Sequence, residues 1–456
     1  MLSQIQTYLK EVEKRCHHPV RICLFGFGTT NRAILDAIIS SDIKAEITLR
    51  QNGKLYDTPP QNVTLIQGPA AFENICEDVI FASPSLRREK LSIPRETVVT
   101  SDTDIFFSRK RDNMFLVSGS DGKSTVTTLT SLLLSPTFPA LFIGGNIGTP
   151  IASAPISSDA FVLEVSSFNL RYTKPLGGRA LLTNVTPNHL DWHSSLTEYE
   201  DCKRAIIESA DEAILPLSCP FNEDLAKGIS SFALTSMTYT DNEIRGSFRT
   251  QHTVTAEDGT ICRDGRAVLP INSIRRRERH NVENLMSAIA LSIGYASDEQ
   301  ICKVAKEFSG LEHRCEHFTI NGREYINSSI DTTPERTKAT LTSLNKRVNI
   351  ILGGRGKGLL LDPMKNALIQ YADRIAIYGE ISDEIVNWIK EDGCLSNIPY
   401  SSFSTLKEAI DYTDSYASSD TSTLLSPAAT GYGEFRSYVE RGRFFKAYLK
   451  EKHTKI

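Results

Sequence analysis

No apolar run in this 456-residue sequence approaches the roughly 20 residues that a bilayer-spanning helix needs, so no membrane insertion is expected. Residues 1–20, MLSQIQTYLKEVEKRCHHPV, also lack the apolar core of a secretory signal and read as an amphipathic helix. The nine cysteines are scattered, with neither a CxxC pair nor a zinc-type spacing. Buried or surface thiols in a reducing cytoplasm are therefore the expectation. There is no long basic run, and a formal net charge of −4 gives no reason to expect a nucleic-acid partner. Repeats of solenoid period and long low-complexity stretches are missing too. What remains is a chain 40% apolar and 23% charged, ordinary for a soluble globular protein and long enough for two or three domains.

Short apolar runs recur, each followed by a glycine-rich or polar turn and a helix-like stretch. Arg21–Phe25 precedes GFGTTN, Met114–Val117 precedes SGSDGKST, and Val348–Leu352 precedes GGRGKG. Phe161–Val165, Ala180–Leu182, Arg374–Tyr378 and Thr423–Leu425 are further candidate strands. Continuous apolar runs suit parallel strands buried on both faces, and their alternation with helices predicts α/β architecture. The pattern restarts near Arg109–Asn113 and again near Ser309–His317, which predicts three domains over 1–112, 113–312 and 313–456.

The strongest local motif is Gly119-Ser120-Asp121-Gly122-Lys123-Ser124-Thr125, directly after an apolar strand and opening a helix. Such a turn aims backbone N–H groups and the positive end of a helix dipole at phosphate oxygens. Lys123 would neutralise β/γ-phosphate charge, and the hydroxyl of Ser124 or Thr125 would hold Mg²⁺. The longer Walker spacing would put a glycine where Val117 stands, so this is a shorter variant; the bland alternative is a chance glycine turn. The N-terminal Gly26-Phe27-Gly28-Thr29-Thr30-Asn31 lacks the third glycine of a dinucleotide fingerprint, and Thr48-Leu49-Arg50 lacks its terminal acid, so NAD recognition is weakly supported.

GSDGKST resembles the GTNGKST loop of the Mur ligases, and later blocks follow in that family's order. They are GGNIGTP (Gly144–Pro150), LEVSSF (Leu163–Phe168), TNVTPNHLDWH (Thr183–His193) and YEDCK (Tyr199–Lys203). HNVEN (His280–Asn284), GLEHRCE (Gly310–Glu316), GGRGKG (Gly353–Gly358), LLSPAATGYGEF (Leu424–Phe435) and Arg441-Gly442 complete the series. The resemblance covers nearly the whole chain and is nearest to the members that add D-glutamate to UDP-N-acetylmuramoyl-L-alanine. It implies an N-terminal Rossmann-like domain for the UDP-sugar, a central P-loop-type ATPase and a C-terminal Rossmann-like domain for the amino acid. It further implies ATP and Mg²⁺ as cofactors and a cytoplasmic enzyme, expected to be a monomer.

Residue roles follow from the same blocks. Glu164 ends an apolar strand, where a carboxylate is costly unless it meets a cation, and is read as a Mg²⁺ ligand rather than a cap or surface ion pair. The resemblance assigns His189 to a second metal site, Asp191 to the nucleotide, and Lys203, once carbamylated by CO₂, to the metal as an acidic ligand. From chemistry alone a lysine on a polar helix is a solvated charge. Asn281 is assigned to the adenine, Arg314 to the ATP phosphates, and His280 to support of its turn. Thr29, Thr30, Arg50 and Ser83 are expected at the UDP moiety, with Asn146 reaching the substrate from the central domain. Thr332, Lys357, Arg355 and Tyr438 are expected near the amino acid.

Two segments depart from the family. The usual NDSKATN reads Asn327-Ser328-Ser329-Ile330-Asp331-Thr332-Thr333, with its aspartate and lysine replaced by Ser328 and Ile330 and a new carboxylate at Asp331. SPACAS becomes Ser426-Pro427-Ala428-Ala429-Thr430-Gly431, and Asp121 stands for the usual asparagine of the phosphate loop. A hydrogen bond to a charged group contributes about 1.5–3 kcal/mol, enough to change amino-acid preference. The alternatives are a related Mur or folylpolyglutamate-type ligase with another amino acid or acceptor, or a non-catalytic nucleotide-binding paralogue. Retention of Lys123, Glu164, His189 and Lys203 argues against the paralogue.

Overall fold

A computed structural model describes residues 1–52, 59–155, 157–190, 192–229, 234–238, 250–356, 360–418, 420–431 and 433–454. Its described residues form two compact units, Met1–Phe308 and Ser309–Ile456.

The first unit carries two sheets. β1 (Val20–Phe25), β2 (Ala45–Gln51), β3 (Val63–Gln67), β4 (Val79–Ala82) and β5 (Val98–Thr100) pair in parallel in the order β3-β2-β1-β4-β5. β1 and β4 are almost wholly buried, as apolar strands covered on both faces must be. The order reverses at β1, and such a reversal opens a crevice at the carboxyl ends of the strands. The amphipathic stretch at the start forms the helix Leu2–Glu13, whose Ile5 and Leu9 are fully buried.

The second sheet of this unit comprises β6 (Met114–Ser118), β7 (Leu141–Gly145), β8 (Ala160–Glu164), β9 (Arg179–Leu182), β10 (Glu212–Pro216), β11 (Leu234–Thr238), β12 (His252–Glu257), β13 (Thr260–Arg263) and β14 (Arg266–Pro270). Their order is β14-β13-β12-β11-β10-β9-β6-β8-β7, parallel from β7 to β12 and antiparallel through β13 and β14. β6 and β8 are buried at every position, so Ser118 and Glu164, their last residues, are held in the interior.

In the second unit, β15 (Glu316–Ile320), β16 (Arg323–Asn327), β17 (Val348–Gly353), β18 (Ala372–Tyr378), β19 (Tyr400–Phe403) and β20 (Ser422–Leu425) form one sheet ordered β15-β16-β20-β17-β18-β19. All pairs are parallel except β15 with β16. The fold is thus α/β throughout, as the alternation of apolar runs and helices predicts.

Candidate active site

β6 runs straight into the loop Gly119–Gly122, and the helix Lys123–Leu134 starts at once. Gly119 has φ +141°, and a Cβ there would sit 1.9 Å from Thr183 Oγ1, so no other residue fits. Gly122 has φ +80°, and a Cβ on it would fall 2.4 Å from Asn284 Oδ1. The loop is clamped by the turn leaving β9. Ser120 N donates to Asn184 O at 2.9 Å, Asp121 N to Asn184 Oδ1 at 3.0 Å, and Thr183 Oγ1 to Asp121 O at 2.6 Å. Ser120 Oγ meets Tyr199 Oη at 2.7 Å. Lys123 Nζ curls back onto the carbonyls of Gly119 (2.9 Å) and Ser120 (2.7 Å), occupying the concavity that the loop would offer to phosphate. Asp121 is exposed and Thr125 half-buried in the first helical turn.

Ser124 Oγ donates to Glu164 Oε2 at 2.7 Å, while Asn146 Nδ2 donates to Glu164 Oε1 at 3.0 Å. Glu164 is only 3% exposed, and no cation of the described residues lies within ion-pair distance of it. A buried carboxylate held by a hydroxyl and an amide, with no ion pair among the described residues, is an oxygen-rich seat of the kind that hard divalent ions take. Glu164 and Asn146 also line a cavity of about 340 Å³. Its far wall is built by Thr29 and Thr30, at the N-terminus of the helix Thr29–Ile39, and by Ser83 and Ser85 beyond β4. Asn31 lines it as well; its amide donates to the carbonyls of Phe25, Gly26 and Phe81, and its buried Oδ1 has no protein partner. The phosphate loop and the crevice of the first sheet therefore meet at one carboxylate.

Lys203 lies on the helix Leu196–Glu208 beneath the phosphate loop and is 2% exposed, so it is no surface charge. Its Nζ donates to Gly119 O at 2.7 Å and Ser118 Oγ at 3.1 Å. Burial, reinforced by the nearby Lys123 charge, holds this amine well below the usual lysine range, with Glu164 opposing the shift. His189 is exposed, in a left-handed turn at φ +55°, with its ring 5.0 Å from that of Phe168. His193, four residues on and unremarked in the sequence, is buried between Ser167 Oγ (3.0 Å) and Glu198 (3.3 Å), and burial lowers its pKa.

One sequence expectation needs correction. Arg50 does not reach the cavity. It is 3% exposed, paired with Glu77 at 2.8 Å, and spends its remaining donors on the carbonyls of Ala71, Glu73 and Asn74. The family resemblance implies a contact with the UDP moiety, but the side chain is the anchor of the turn following β3. Asn281 bonds Glu278 at 2.9 Å at the start of the helix Arg279–Leu291. One turn further, Asn284 abuts Gly122 and lines a second cavity of about 310 Å³ with Thr183, Asn184, Pro216 and Met237. The HNVEN block contains both asparagines, and their spacing of three is the signal that sequence reading could have used.

In the second unit, Arg314 is exposed beside His313, whose ring lies 6.0 Å from that of Tyr438. Thr332 is half-buried in the loop that follows β16. Asp331 faces inward: Oδ2 accepts from Thr340 (2.7 Å) and Ser426 (2.8 Å), and burial raises its pKa. Arg355 pairs with Glu380 at 3.2 Å. Lys357 and Asp191 lie outside the described residues.

Residues 117–292 match the Mur ligase middle domain. The chain is 30% identical to the UDP-N-acetylmuramoylalanine--D-glutamate ligase of Acetivibrio thermocellus, over 97% of this chain and 98% of that protein. It is 28% identical to the same-named ligase of Ruminiclostridium cellulolyticum, over 98% of each. Among solved structures, the UDP-N-acetylmuramate-alanine ligase of Thermotoga maritima shares the fold at a TM-score of 0.55 and 17% identity, covering 95% of this chain and 99% of that one. The chain belongs to the Mur ligase family. Within it, both full-length relatives named above are D-glutamate ligases.

Proposed function

We propose that this protein is an ATP-dependent ligase that joins D-glutamate to UDP-N-acetylmuramoyl-L-alanine in peptidoglycan precursor synthesis. The observation that carries this reading is the bridging carboxylate: Glu164 is bonded on one oxygen to Ser124 of the phosphate loop and on the other to Asn146 of the neighbouring cavity. ATP on the loop and an acceptor in the cavity would present the γ-phosphate and the acceptor carboxylate to each other.

An acceptor carboxylate oxygen attacks the γ-phosphorus and ADP leaves, giving an acyl phosphate. The D-glutamate amine then attacks the acyl carbon, inorganic phosphate leaves, and the amine proton is lost as the amide forms. Phosphorylation is needed because a carboxylate repels an amine and has no good leaving group. Lys123, released from its own loop carbonyls, would neutralise charge building on the transferred phosphoryl group. Ser124 and Glu164 would hold Mg²⁺, which supplies charge stabilisation to the phosphoryl oxygens. A neutral Lys203 amine is the form that adds to CO₂ with loss of a proton, so its lowered pKa supports a carbamate there, with His189 serving a second ion. Asn284 rather than Asn281 would face the adenine, in the cavity beside Gly122.

In the same reading the chain divides at 112 and 312 into UDP-sugar, ATPase and amino-acid domains. Arg314, Thr332, Lys357 and Tyr438 serve the last step, and the protein acts as a cytoplasmic monomer. Among the described residues no helix is long and apolar enough to cross a membrane. D-glutamate is favoured over a folylpolyglutamate-type or other amino-acid reading by the names of the near full-length relatives. The test is phosphate release with ATP, Mg²⁺ and UDP-N-acetylmuramoyl-L-alanine across a panel of amino acids. Turnover dependent on D-glutamate is expected; turnover only with another amino acid reassigns the substrate, and silence across the panel removes the ligase reading.

A further inference from the structure

The loop leaving β9 carries His189 and then Trp192, and the loop leaving β4 carries Ser83 and Ser85 on the cavity wall. These loops belong to different sheets, yet they are hooked together twice. The Trp192 indole N–H donates to the Ser85 carbonyl at 2.8 Å, and Arg87 Nη1 donates to the Trp192 carbonyl at 2.9 Å. The Arg87 guanidinium lies 5.6 Å from the centre of the indole, a cation–π contact that orients both. The indole also packs 4.5 Å from the ring of Phe168, which lines the cavity and touches the His189 ring at 5.0 Å.

This clasp has little to offer the folded core. Ser85 is exposed and Trp192 half-buried, so water could satisfy the Ser85 carbonyl equally well. What the bond does is fix geometry: an indole N–H is a single donor on a rigid plane, so it aligns Trp192 with the turn 83–85 in one arrangement. Resting on the functional reading above, we propose that Trp192 is a positioning residue that ties occupancy of the acceptor cavity to the placement of His189. A nucleotide-sugar acceptor that orders the turn 83–85 thereby holds the Trp192–Phe168–His189 stack, and by reciprocity an ordered His189 loop tightens acceptor binding.

The chain has two tryptophans, and the second, Trp388, donates to Asp362 in the other unit. In a Trp388→Phe protein the emission therefore reports Trp192 alone. Titration with UDP-N-acetylmuramoyl-L-alanine is expected to shift that emission saturably. Trp192→Phe keeps a ring against Phe168 and removes the N–H; the KM for the acceptor should rise about five-fold, equivalent to about 1 kcal/mol, with the KM for ATP within about two-fold of the parent. Arg87→Ala should act in the same direction, and the double variant should be less than additive, because both act through one clasp. An unchanged acceptor KM in Trp192→Phe, strict additivity, or a parallel rise of both KM values with a fall in thermal midpoint would each overturn the proposal. Acceptor-dependent phosphate release with unmoved Trp192 emission overturns the clasp alone, whereas absence of both release and emission change removes the ligase reading itself.

Discussion

Arg50 decides between two incompatible roles, because a substrate ligand and a structural anchor respond differently to removal. Its guanidinium donates twice to Glu77, at 2.8 and 3.3 Å, and to the carbonyls of Ala71, Glu73 and Asn74 at 3.2, 2.8 and 3.1 Å. Glu77 is 4% exposed and, among the described residues, keeps only the Cys76 N–H, at 3.0 Å, once the arginine is gone. Arg50→Met preserves the aliphatic stem but strands that carboxylate in the interior. Breaking one side of a buried pair costs about 3–5 kcal/mol. At about 2–4 °C per kcal/mol for a body of this size, the thermal midpoint should fall by about 6–20 °C. Arg50→Met/Glu77→Gln removes the stranded charge and should recover more than half of the loss, since replacing both partners of a buried pair is often close to neutral. The assay is thermal unfolding of the parent, the single and the double variant. It is paired with acceptor KM measured well below every midpoint, where the KM should stay within about two-fold, that is, under about 0.5 kcal/mol. A single variant with the parental midpoint and an acceptor KM raised about ten-fold, about 1.4 kcal/mol, would refute the anchor and return Arg50 to the substrate.

Lys203→Ala should lose most ATP-dependent ligation and regain part of it with a small carboxylic acid supplied in solution; full activity without rescue dismisses the carbamate. Asn284→Ala should raise the KM for ATP by about ten-fold, the equivalent of a hydrogen bond or two, while Asn281→Ala leaves it within about two-fold. The reverse order would restore the sequence assignment. Asp102, 3% exposed and accepting from Ala152 N at 2.9 Å, has its carboxyl pushed up by burial to about 6. A folded pKa above the unfolded one contributes stability that is present below the unfolded value and lost as pH rises through the folded one. Asp102→Asn should therefore flatten the decline in stability between about pH 4 and 6, whatever it does to the absolute midpoint. An unchanged slope in urea titrations across that window would show that another group titrates there.

The parts legible in the sequence are those whose physics is local. β6, β8 and β17 are apolar at most positions because they are buried on both faces, and their runs announce them. The phosphate loop is legible for a related reason: its donors, its glycines and Lys123 lie within a few residues of one another. The edge strands β12–β14 are short and mixed in polarity, and no apolar run marks them. Their signal was the turns, where Asp258-Gly259 and Asp264-Gly265 both take positive φ, as tight hairpins require. Charged residues were the hard case, since their meaning depends on a partner far along the chain. Lys203 reads as a solvated charge on a polar helix, and only the passage of Ser118 and Gly119 over it makes it a buried amine. Asp331 reads as a new pocket carboxylate, but Ser426, 95 residues away, draws it inward to brace the loops leaving β16 and β20. Arg50 fails in the same way through Glu77, 27 residues on. In the proposed reading, amino-acid preference would then rest on groups that this braced loop presents, such as the half-buried Thr332 beside Asp331, because Oδ2 of the buried carboxylate is already engaged by the hydroxyls of Thr340 and Ser426.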